Sequence, residues 1–309
     1  MTATTVTSLS LAPQVRRRNW RRRPLVHGLL FVSPWLIGFL VFTLYPFLAS
    51  LYYSFTNFSI VHAPRWTGLT NYKQLFADHL FWTSLFNTAY YATLEVPLST
   101  LISIGIAMLL NKKVRGLTVY RTLFFLPYVV PIVAGSIVWL WLFNPSFGVV
   151  NYFLSLLHIP GPGWTFSSAW SKPTFVLLGL WGVGAPIVIY LAALQGVPKD
   201  MYEVADLDGA SAFQRTRYVT IPMISPAILF NVVLAIVASF QYFTQAFVMT
   251  DGGPNNSTLF YSLYLYEQAF QYLHMGYASA MAWLLFVVVV AVTLVLFRSS
   301  ARWVYYAGK

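Results

Sequence analysis

The strongest constraint on this sequence is the scarcity of charge, because long apolar stretches run between short charged segments. Its 309 residues include 19 Lys and Arg and 8 Asp and Glu, so 9% are charged while 58% are hydrophobic. Soluble domains have about one-quarter charged residues. The apolar runs approach the length of about 20 residues that crosses a bilayer as a helix. The sequence therefore predicts an integral membrane protein and excludes an ordinary soluble domain.

Six membrane helices are predicted, which makes the fold class all-α and polytopic. Their predicted bounds are 25–55, 81–110, 119–143, 174–197, 223–250 and 276–297. A basic segment at 1–24 precedes the transmembrane domain at 25–298, and a tail at 299–309 follows it. Pro127 and Pro131 remove two backbone donors from the third helix, which predicts a break there. Gly179, Gly182 and Gly184 in the fourth predict close helix packing.

The distribution of Lys and Arg predicts the orientation of the chain. Sixteen of the nineteen lie in the segments that share one side, and the other side holds Arg65, Lys73 and Lys172. Basic loops stay in the cytoplasm. We therefore expect a multi-pass membrane protein with both termini in the cytoplasm.

Other functional classes find no support in the composition. The chain has no cysteine, and its five histidines are scattered without metal-ligand spacing, so neither a metal site nor a thiol catalyst is predicted. The net charge of +11 reflects topology and contact with anionic lipid. We expect no nucleic-acid partner, because no folded basic surface is indicated.

One cytoplasmic segment, residues 198–222, contains more charge than a membrane bundle needs. It holds half of the acidic residues of the chain: Asp200, Glu203, Asp206 and Asp208. Pro198 suits a helix start, and Asp200 with Glu203 complements the positive end of that helix. We expect a short cytoplasmic helix with a bare patch at Ala205 and Gly209.

This segment resembles the EAA loop of permease subunits in binding-protein-dependent ABC importers. Glu203, Ala205, Gly209 and Pro222 match the motif in place, with Val204, Val219 and Ile221 as conservative departures. Asp208 and Ala210 flank the glycine, and the resemblance implies that they too belong to the coupling surface. It also implies a bacterial cytoplasmic membrane as the location of the chain. Further similarity runs along nearly the whole chain: Ser33-Pro34-Trp35, Gly68-Leu69-Thr70-Asn71-Tyr72, Asn87-Thr88, Phe125-Leu126-Pro127 and Thr250-Asp251-Gly252-Gly253-Pro254. The set is typical of the carbohydrate-uptake branch, which includes maltose and glycerol-phosphate permeases.

The resemblance implies a division of labour among several chains. The EAA loop would couple this permease to two ATP-binding subunits, which would bind ATP and Mg, so that this chain itself holds no cofactor. A second homologous permease would supply the other half of the pathway, and an external solute-binding protein would deliver a sugar-type substrate. The absence of a phosphate-binding loop agrees with this, because none of the lysines has the required context. No catalytic residue is predicted.

The fifth predicted helix carries a dense polar group that suits a substrate pathway. Ser239, Gln241, Tyr242 and Gln245 lie there beside phenylalanines, and hydroxyl-rich ligands need hydrogen-bonding groups next to aromatic faces. In carbohydrate permeases the corresponding helix lines the path, which implies that Trp181 and Tyr190 are partners from the fourth helix. Packing between helices is the alternative role for such polar groups.

Two other functional classes remain open on the sequence. A secondary transporter needs ionisable residues at mid-membrane, and Glu95 is the one strong candidate. Glu95 either binds a hydroxyl-rich or cationic substrate or bonds to a neighbouring helix. A membrane-embedded glycosyl-transfer enzyme would use the carboxylates of the 198–222 loop, which lack a companion His, an Arg cluster or a metal pattern.

Overall fold

Helices joined by loops make up the parts of the chain that the computed structural model describes, residues 23–112 and 115–306. An isolated bridge joins Thr56 and Trp66. The helices are α1 (Arg23–Phe39), α2 (Tyr45–Ser54), α3 (Thr70–Ala77), α4 (His79–Leu110), α5 (Leu117–Val129), α6 (Ile132–Leu142), α7 (Val149–Leu156), α8 (Ser171–Trp181), α9 (Gly184–Gln195), α10 (Lys199–Leu207), α11 (Ala212–Arg215), α12 (Ile221–Phe240), α13 (Thr244–Met249), α14 (Tyr261–Tyr266) and α15 (Met275–Ser300). Seven basic residues of the orientation argument lie outside the described residues: Arg16, Arg17, Arg18, Arg21, Arg22, Lys113 and Lys309.

The all-α polytopic prediction is confirmed. Four helical stretches, His27–Ser54, His79–Leu110, Ala212–Phe240 and Met275–Ser300, are long and apolar enough to cross a membrane. Two bent helix pairs, α5 with α6 and α8 with α9, pass the same test. With each pair taken as one span, the described residues contain the six spans expected.

Two of the predicted spans differ from the continuous helices expected, and the third span shows the break that its prolines predicted. The third breaks at Val130 and Pro131, where α5 and α6 meet at 98°. The fourth bends by 47° between α8 and α9, at the glycines for which the sequence predicted only close packing. The fifth ends at Phe240, and residues 241–243 separate it from α13. Proline and glycine account for the first two breaks, because proline lacks a donor and glycine weakens a helix.

The chain forms two compact units whose boundary in the sequence lies between Ser50 and Leu51. The first unit contains α1 and most of α2, joined by a π-helical segment, Leu40–Leu44. Within α1, the rings of Trp35 and Phe39 stack with centroids 5.5 Å apart. The second unit contains all later elements.

Two apolar clusters form the core of the second unit. One includes Phe81, Phe175, Phe260, Tyr261 and Met281, all buried. The other joins α4, α9 and α12 through residues that include Ile104, Ile187, Leu194 and Ile224. The long helix α4 contributes to both clusters, so it fixes the position of α8, α9 and α12 around it.

The segment between α13 and α14 is tied to α4 by polar contacts. Asn87 Nδ2 donates to the carbonyls of Asn256 and Leu259 at 2.8 and 3.0 Å, and its Oδ1 accepts from Lys172 Nζ at 3.0 Å. The amide of Tyr261 donates to Thr88 Oγ1 at 2.9 Å. Two segments that the family resemblance singled out, Asn87-Thr88 and the residues after Thr250, are thus neighbours in space.

Candidate functional site

A cavity of about 500 Å³ lies inside the second unit, bordered by α4, α6, α8, α12 and the residues that follow α12. The breaks of the third and fourth spans both lie at the cavity. Its lining includes Pro127, Val130 and Ile132 at the break of the third span, and Gly182 and Val183 at the break of the fourth. Backbone groups freed at such breaks need polar partners or water. The cavity is therefore the place in the bundle where irregular backbone is tolerated.

Five of the six predicted pathway residues lie around this one cavity. They are Trp181 from α8 and Ser239, Gln241, Tyr242 and Gln245 from the end of α12 and beyond. Because the helix stops at Phe240, Gln241, Tyr242 and Gln245 come from a turn and the start of α13 rather than from one face of a helix. The break in the fifth span is thus what turns these residues toward the cavity.

Tyr190 does not belong to this lining, contrary to the expectation. Its side chain is completely buried in the second apolar cluster, with Ile187, Leu191 and Ile224. The 47° bend between α8 and α9 explains the separation, because Trp181 and Tyr190 lie on opposite sides of it. Tyr190 packs the bundle.

The structure adds two residues of α4, Tyr91 and Ser99, that the sequence interpretation left aside. Tyr91, Glu95 and Ser99 line the cavity, and their spacing of four residues places them along one helix face. The signal was present in the sequence, since an apolar helix that carries three polar groups at i, i+4 and i+8 presents a polar stripe. Glu95 alone was identified, from its charge.

Gly179 makes room for two members of this stripe. A Cβ atom built on Gly179 would lie 2.9 Å from Glu95 Cγ and 2.9 Å from Tyr91 Oη, closer than a side chain allows. The Glu95 carboxylate accepts from Ser239 Oγ at 3.4 Å, which links α4 to α12 across the cavity wall. The aromatic side of the wall is the pair Tyr91 and Tyr242, with ring centroids 4.4 Å apart.

The 198–222 segment folds as the short helix expected, α10, followed by a tight turn. The amide of Ala210 donates to the carbonyl of Ala205 at 2.9 Å and that of Gly209 to Asp206 at 3.1 Å, the pattern of a Schellman cap. This cap needs a left-handed residue, and Gly209 supplies φ of +72°. The sequence suggested only close approach as the reason for this glycine.

Local bonds hold the turn against the next helix. Ser211 and Gln214 form a capping box at the start of α11, and Arg215 donates to the carboxylate of Asp206. Tyr202 Oη lies 3.1 Å from Thr220 Oγ1. A π-helical segment, Thr216–Thr220, then leads into α12 with Pro222 in its first turn. The segment is therefore a defined element joined continuously to the helix that borders the cavity.

The coupling residues expected from the motif lie at or near the surface of this segment. Glu203, Asp208 and Gly209 are exposed, and Ala205, Ala210 and Pro222 are half-buried. Beside them, Val204, Leu207 and Phe213 leave 57%, 88% and 77% of their surface exposed. Large apolar side chains next to charged ones are typical of a protein-binding patch.

A separate polar network lies at the start of α4. Asp78 caps that helix by accepting from the amide of Leu80 at 2.8 Å, and its second oxygen accepts from the hydroxyls of Tyr264 and Tyr277. Burial raises the pKa of Asp78, but the bonds from both tyrosines and from the amides of Leu80 and Phe81 outweigh it and leave the pKa below its ordinary value. Asp78 thus joins α4 to α14 and α15 as an anion.

Relatives of the chain cover nearly its full length. A probable ABC transporter permease protein of Bacillus subtilis, YesP, is 40% identical over 96% of this chain and 98% of its own length. The lactose transport system permease protein LacF of Rhizobium radiobacter is 35% identical over 92% of this chain and 97% of its own. A bacterial alginate ABC transporter, solved with a periplasmic protein that holds alginate pentasaccharide, has the same fold, with a TM-score of 0.79 at 23% identity over 91% of this chain and 96% of that one.

The family match agrees with the motif in the 198–222 segment. Residues 99–305 fit the model of the binding-protein-dependent transport system inner membrane component. Members of this family are permease subunits rather than enzymes, and the ATPase is a separate subunit. This confirms that no catalytic role is expected here and removes the glycosyl-transfer alternative. The chain belongs to the family of inner membrane permease components of binding-protein-dependent ABC transporters.

Proposed function

We propose that this chain is the permease subunit of an ATP-driven importer for a sugar or related polyol, and that it forms half of the translocation pathway. The observation that carries the proposal is the cavity of about 500 Å³, in which Tyr91, Ser239, Gln241 and Gln245 present polar groups beside Trp181 and Tyr242. Saccharides are bound by such pairs of polar and aromatic surfaces. The name of LacF points to the same class of substrate.

A second homologous permease would close the cavity from the other side. The bent pair α5 and α6 borders the cavity and leaves large apolar side chains uncovered: Leu123, Leu126, Val129, Ile132 and Val138 are each more than 45% exposed. Such a surface suits another membrane helix bundle or lipid. The broken spans supply the points at which one bundle can rock against the other during alternating access.

The 198–222 segment would couple this movement to two ATP-binding subunits, which would hold ATP and Mg. Two features support this role. The apolar patch of Val204, Leu207 and Phe213 stands beside Glu203, and the segment continues through Thr216–Thr220 into α12. A displacement of α10 by the ATPase would reach Ser239 along one continuous helix of 29 residues, Ala212–Phe240.

On the opposite side an external binding protein would deliver the substrate to the loops at 68–71, 160–170 and 252–256. The orientation that this requires, with both termini in the cytoplasm, rests on the Lys and Arg distribution.

Reconstitution tests the proposal. Vesicles that contain this chain, its second permease and both ATPase subunits should take up a radiolabelled sugar only with ATP and the binding protein, and lactose is the first probe to try among a panel of disaccharides. Uptake should survive ionophores that collapse ion gradients. Solute movement by this chain alone, or uptake abolished by ionophores while ATP is present, would overturn the importer and favour a secondary transporter.

A further inference from the structure

Glu95 sets the charge of the cavity. Among the described residues that line the cavity it is the one with a formal charge, since the lining there contains no Lys, Arg or His. A single ionised group between low-dielectric walls determines the sign of the field inside a cleft. When Glu95 is ionised, a solute in this cavity therefore meets a carboxylate and no compensating cation from this subunit.

The Glu95 carboxylate has more acceptor sites than its two serine neighbours, Ser239 and Ser99, can fill. A carboxylate has about four acceptor sites, whereas a serine hydroxyl has a single proton. Ser239 Oγ donates to Glu95 Oε2 at 3.4 Å and to the carbonyl of Ala235 at 2.8 Å, so the bond to Glu95 is the longer of the two. Ser99, one turn along α4, likewise divides its proton between Glu95 and the carbonyl of Val96. A purely structural bridge between two helices would be shorter and better satisfied.

The wall beside Glu95 carries further polar and aromatic groups. The buried Tyr242 hydroxyl has no well-formed hydrogen bond among the described residues, and the Tyr91 hydroxyl is the neighbour within its reach. A poorly satisfied buried hydroxyl costs free energy unless a ligand or water pairs with it. Gly179 lets Glu95 and Tyr91 pack directly against α8, since a side chain there would collide with both. An incompletely filled acceptor, a poorly paired hydroxyl and an aromatic pair thus lie together on one wall.

We propose that Glu95 selects solutes by charge, so that the cavity accepts neutral, hydroxyl-rich or cationic saccharides and disfavours anionic ones such as uronates. A carboxylate accepts hydrogen bonds from hydroxyl and ammonium groups, and it repels a second carboxylate in the same water-poor space. This inference rests on the proposed translocation function, because it assigns a specificity-determining residue to the same cavity.

Thiol labelling tests this selection by charge without knowledge of the sugar. The chain has no cysteine, so Gln241→Cys places its one thiol two residues from Ser239, at an exposed position of the lining. The assembled transporter, with partner thiols replaced, is treated with three methanethiosulfonate reagents, one cationic, one anionic and one neutral. With Glu95 present the cationic reagent should react faster than the anionic one. In Glu95→Gln the ratio of the two rates should fall about tenfold. The carboxylate attracts the cationic reagent and repels the anionic one, so its removal changes the two rates in opposite directions.

Matched variants complete the test. Glu95→Asp keeps the charge and should keep the ratio, which separates charge from a disturbed fold. Ala169→Cys, on an exposed loop outside the lining, should show the same ratio whether or not it is combined with Glu95→Gln. The proposed selection by charge would be overturned if Glu95→Gln left the ratio of the cationic to the anionic rate unchanged at Gln241→Cys. It would also be overturned if the neutral reagent failed to react there. Since labelling requires neither ATP nor substrate, either result leaves the uptake experiment as an independent test of the importer.

Discussion

Two glycines, one in the 198–222 segment and one in the cavity wall, are present for opposite reasons. Gly209 adopts φ of +72°, and a Cβ atom placed on it would meet nothing within 4 Å. A Cβ atom on Gly179 would collide with Glu95 and Tyr91, although its backbone angle is one that other residues adopt. A glycine is required at position 209 because the backbone is left-handed there, and at position 179 because a side chain would have no room. The comparison teaches that the segment is shaped by local bonds and the cavity by packing between distant parts of the chain.

The largest expected effect comes from the position of the two regions on opposite sides of the membrane. Ala212→Cys, in the exposed first turn of α11, should resist a membrane-impermeant thiol reagent added to intact cells, whereas Ala169→Cys should react fully. The reason is the bias of Lys and Arg toward the side that holds the 198–222 segment. Lysed cells provide the control, because both thiols should then react. Labelling of Ala212→Cys in intact cells would reverse the proposed topology.

The next effect concerns the surface at Gly209. Gly209→Trp should abolish substrate-stimulated ATP hydrolysis, because a bulky residue there strains the turn and also occupies the surface proposed to meet the ATPase. Gly209→Asn separates the two causes, since Asn tolerates the left-handed region. We expect Gly209→Asn to keep the turn but weaken association roughly tenfold, about 1.4 kcal/mol, measured by co-purification of the ATPase from detergent. Full association in Gly209→Asn would show that the backbone angle is the sole requirement.

The contrast between the regions also explains what the sequence revealed. Glu203, Gly209 and Pro222 could be singled out from the order of residues, because they belong to one short segment whose cap and capping box connect neighbours along the chain; their part in coupling stays a prediction. Five of the residues that line the cavity could also be singled out, but their arrangement could not, since Glu95 meets Ser239 across 144 residues and Tyr190 packs in the second apolar cluster. Composition predicted six spans and the prolines predicted the break in the third, but the bend in the fourth and the end of the fifth at Phe240 were not predicted.

A smaller effect is expected at Gly179, where a side chain would collide with Glu95 and Tyr91. Gly179→Ala should lower the thermal stability of the purified protein by about 1–3 kcal/mol, the usual cost of overpacking a filled site, as followed by intrinsic tryptophan fluorescence during heating. Gly182→Ala is the matched control, because its Cβ atom would meet only the carbonyl of Gly179, at 3.7 Å. Equal stability of the two variants would mean that the wall around Glu95 and Tyr91 relaxes freely.

The smallest effect belongs to a residue that combines both kinds of bond. One oxygen of Asp78 caps α4 locally through Leu80, and the other accepts from Tyr264 and Tyr277, 186 and 199 residues away. Asp78→Asn keeps an oxygen for the cap but loses the charged acceptor for the tyrosines. At neutral pH it should be less stable by about 1 kcal/mol, a modest value because the site is partly exposed to solvent.

The difference in stability between Asp78→Asn and the unsubstituted protein should depend on pH, which tests the bonds from the two tyrosines to the charged carboxylate. The pKa of folded Asp78 lies below the ordinary value of 3.8, so the stabilisation from the anion is complete at neutral pH and is lost as the pH falls through the folded pKa. The stability of the unsubstituted protein should therefore approach that of Asp78→Asn below pH 3.8, measured by thermal unfolding in detergent across the acidic range. Tyr277→Phe removes one of the two long-range donors and leaves the cap. On acidification this variant should therefore lose about half as much stability as the unsubstituted protein loses. If Asp78→Asn and the unsubstituted protein are equally stable at every pH, the local cap that Asn retains accounts for Asp78, and the link from α4 to α14 and α15 contributes nothing measurable.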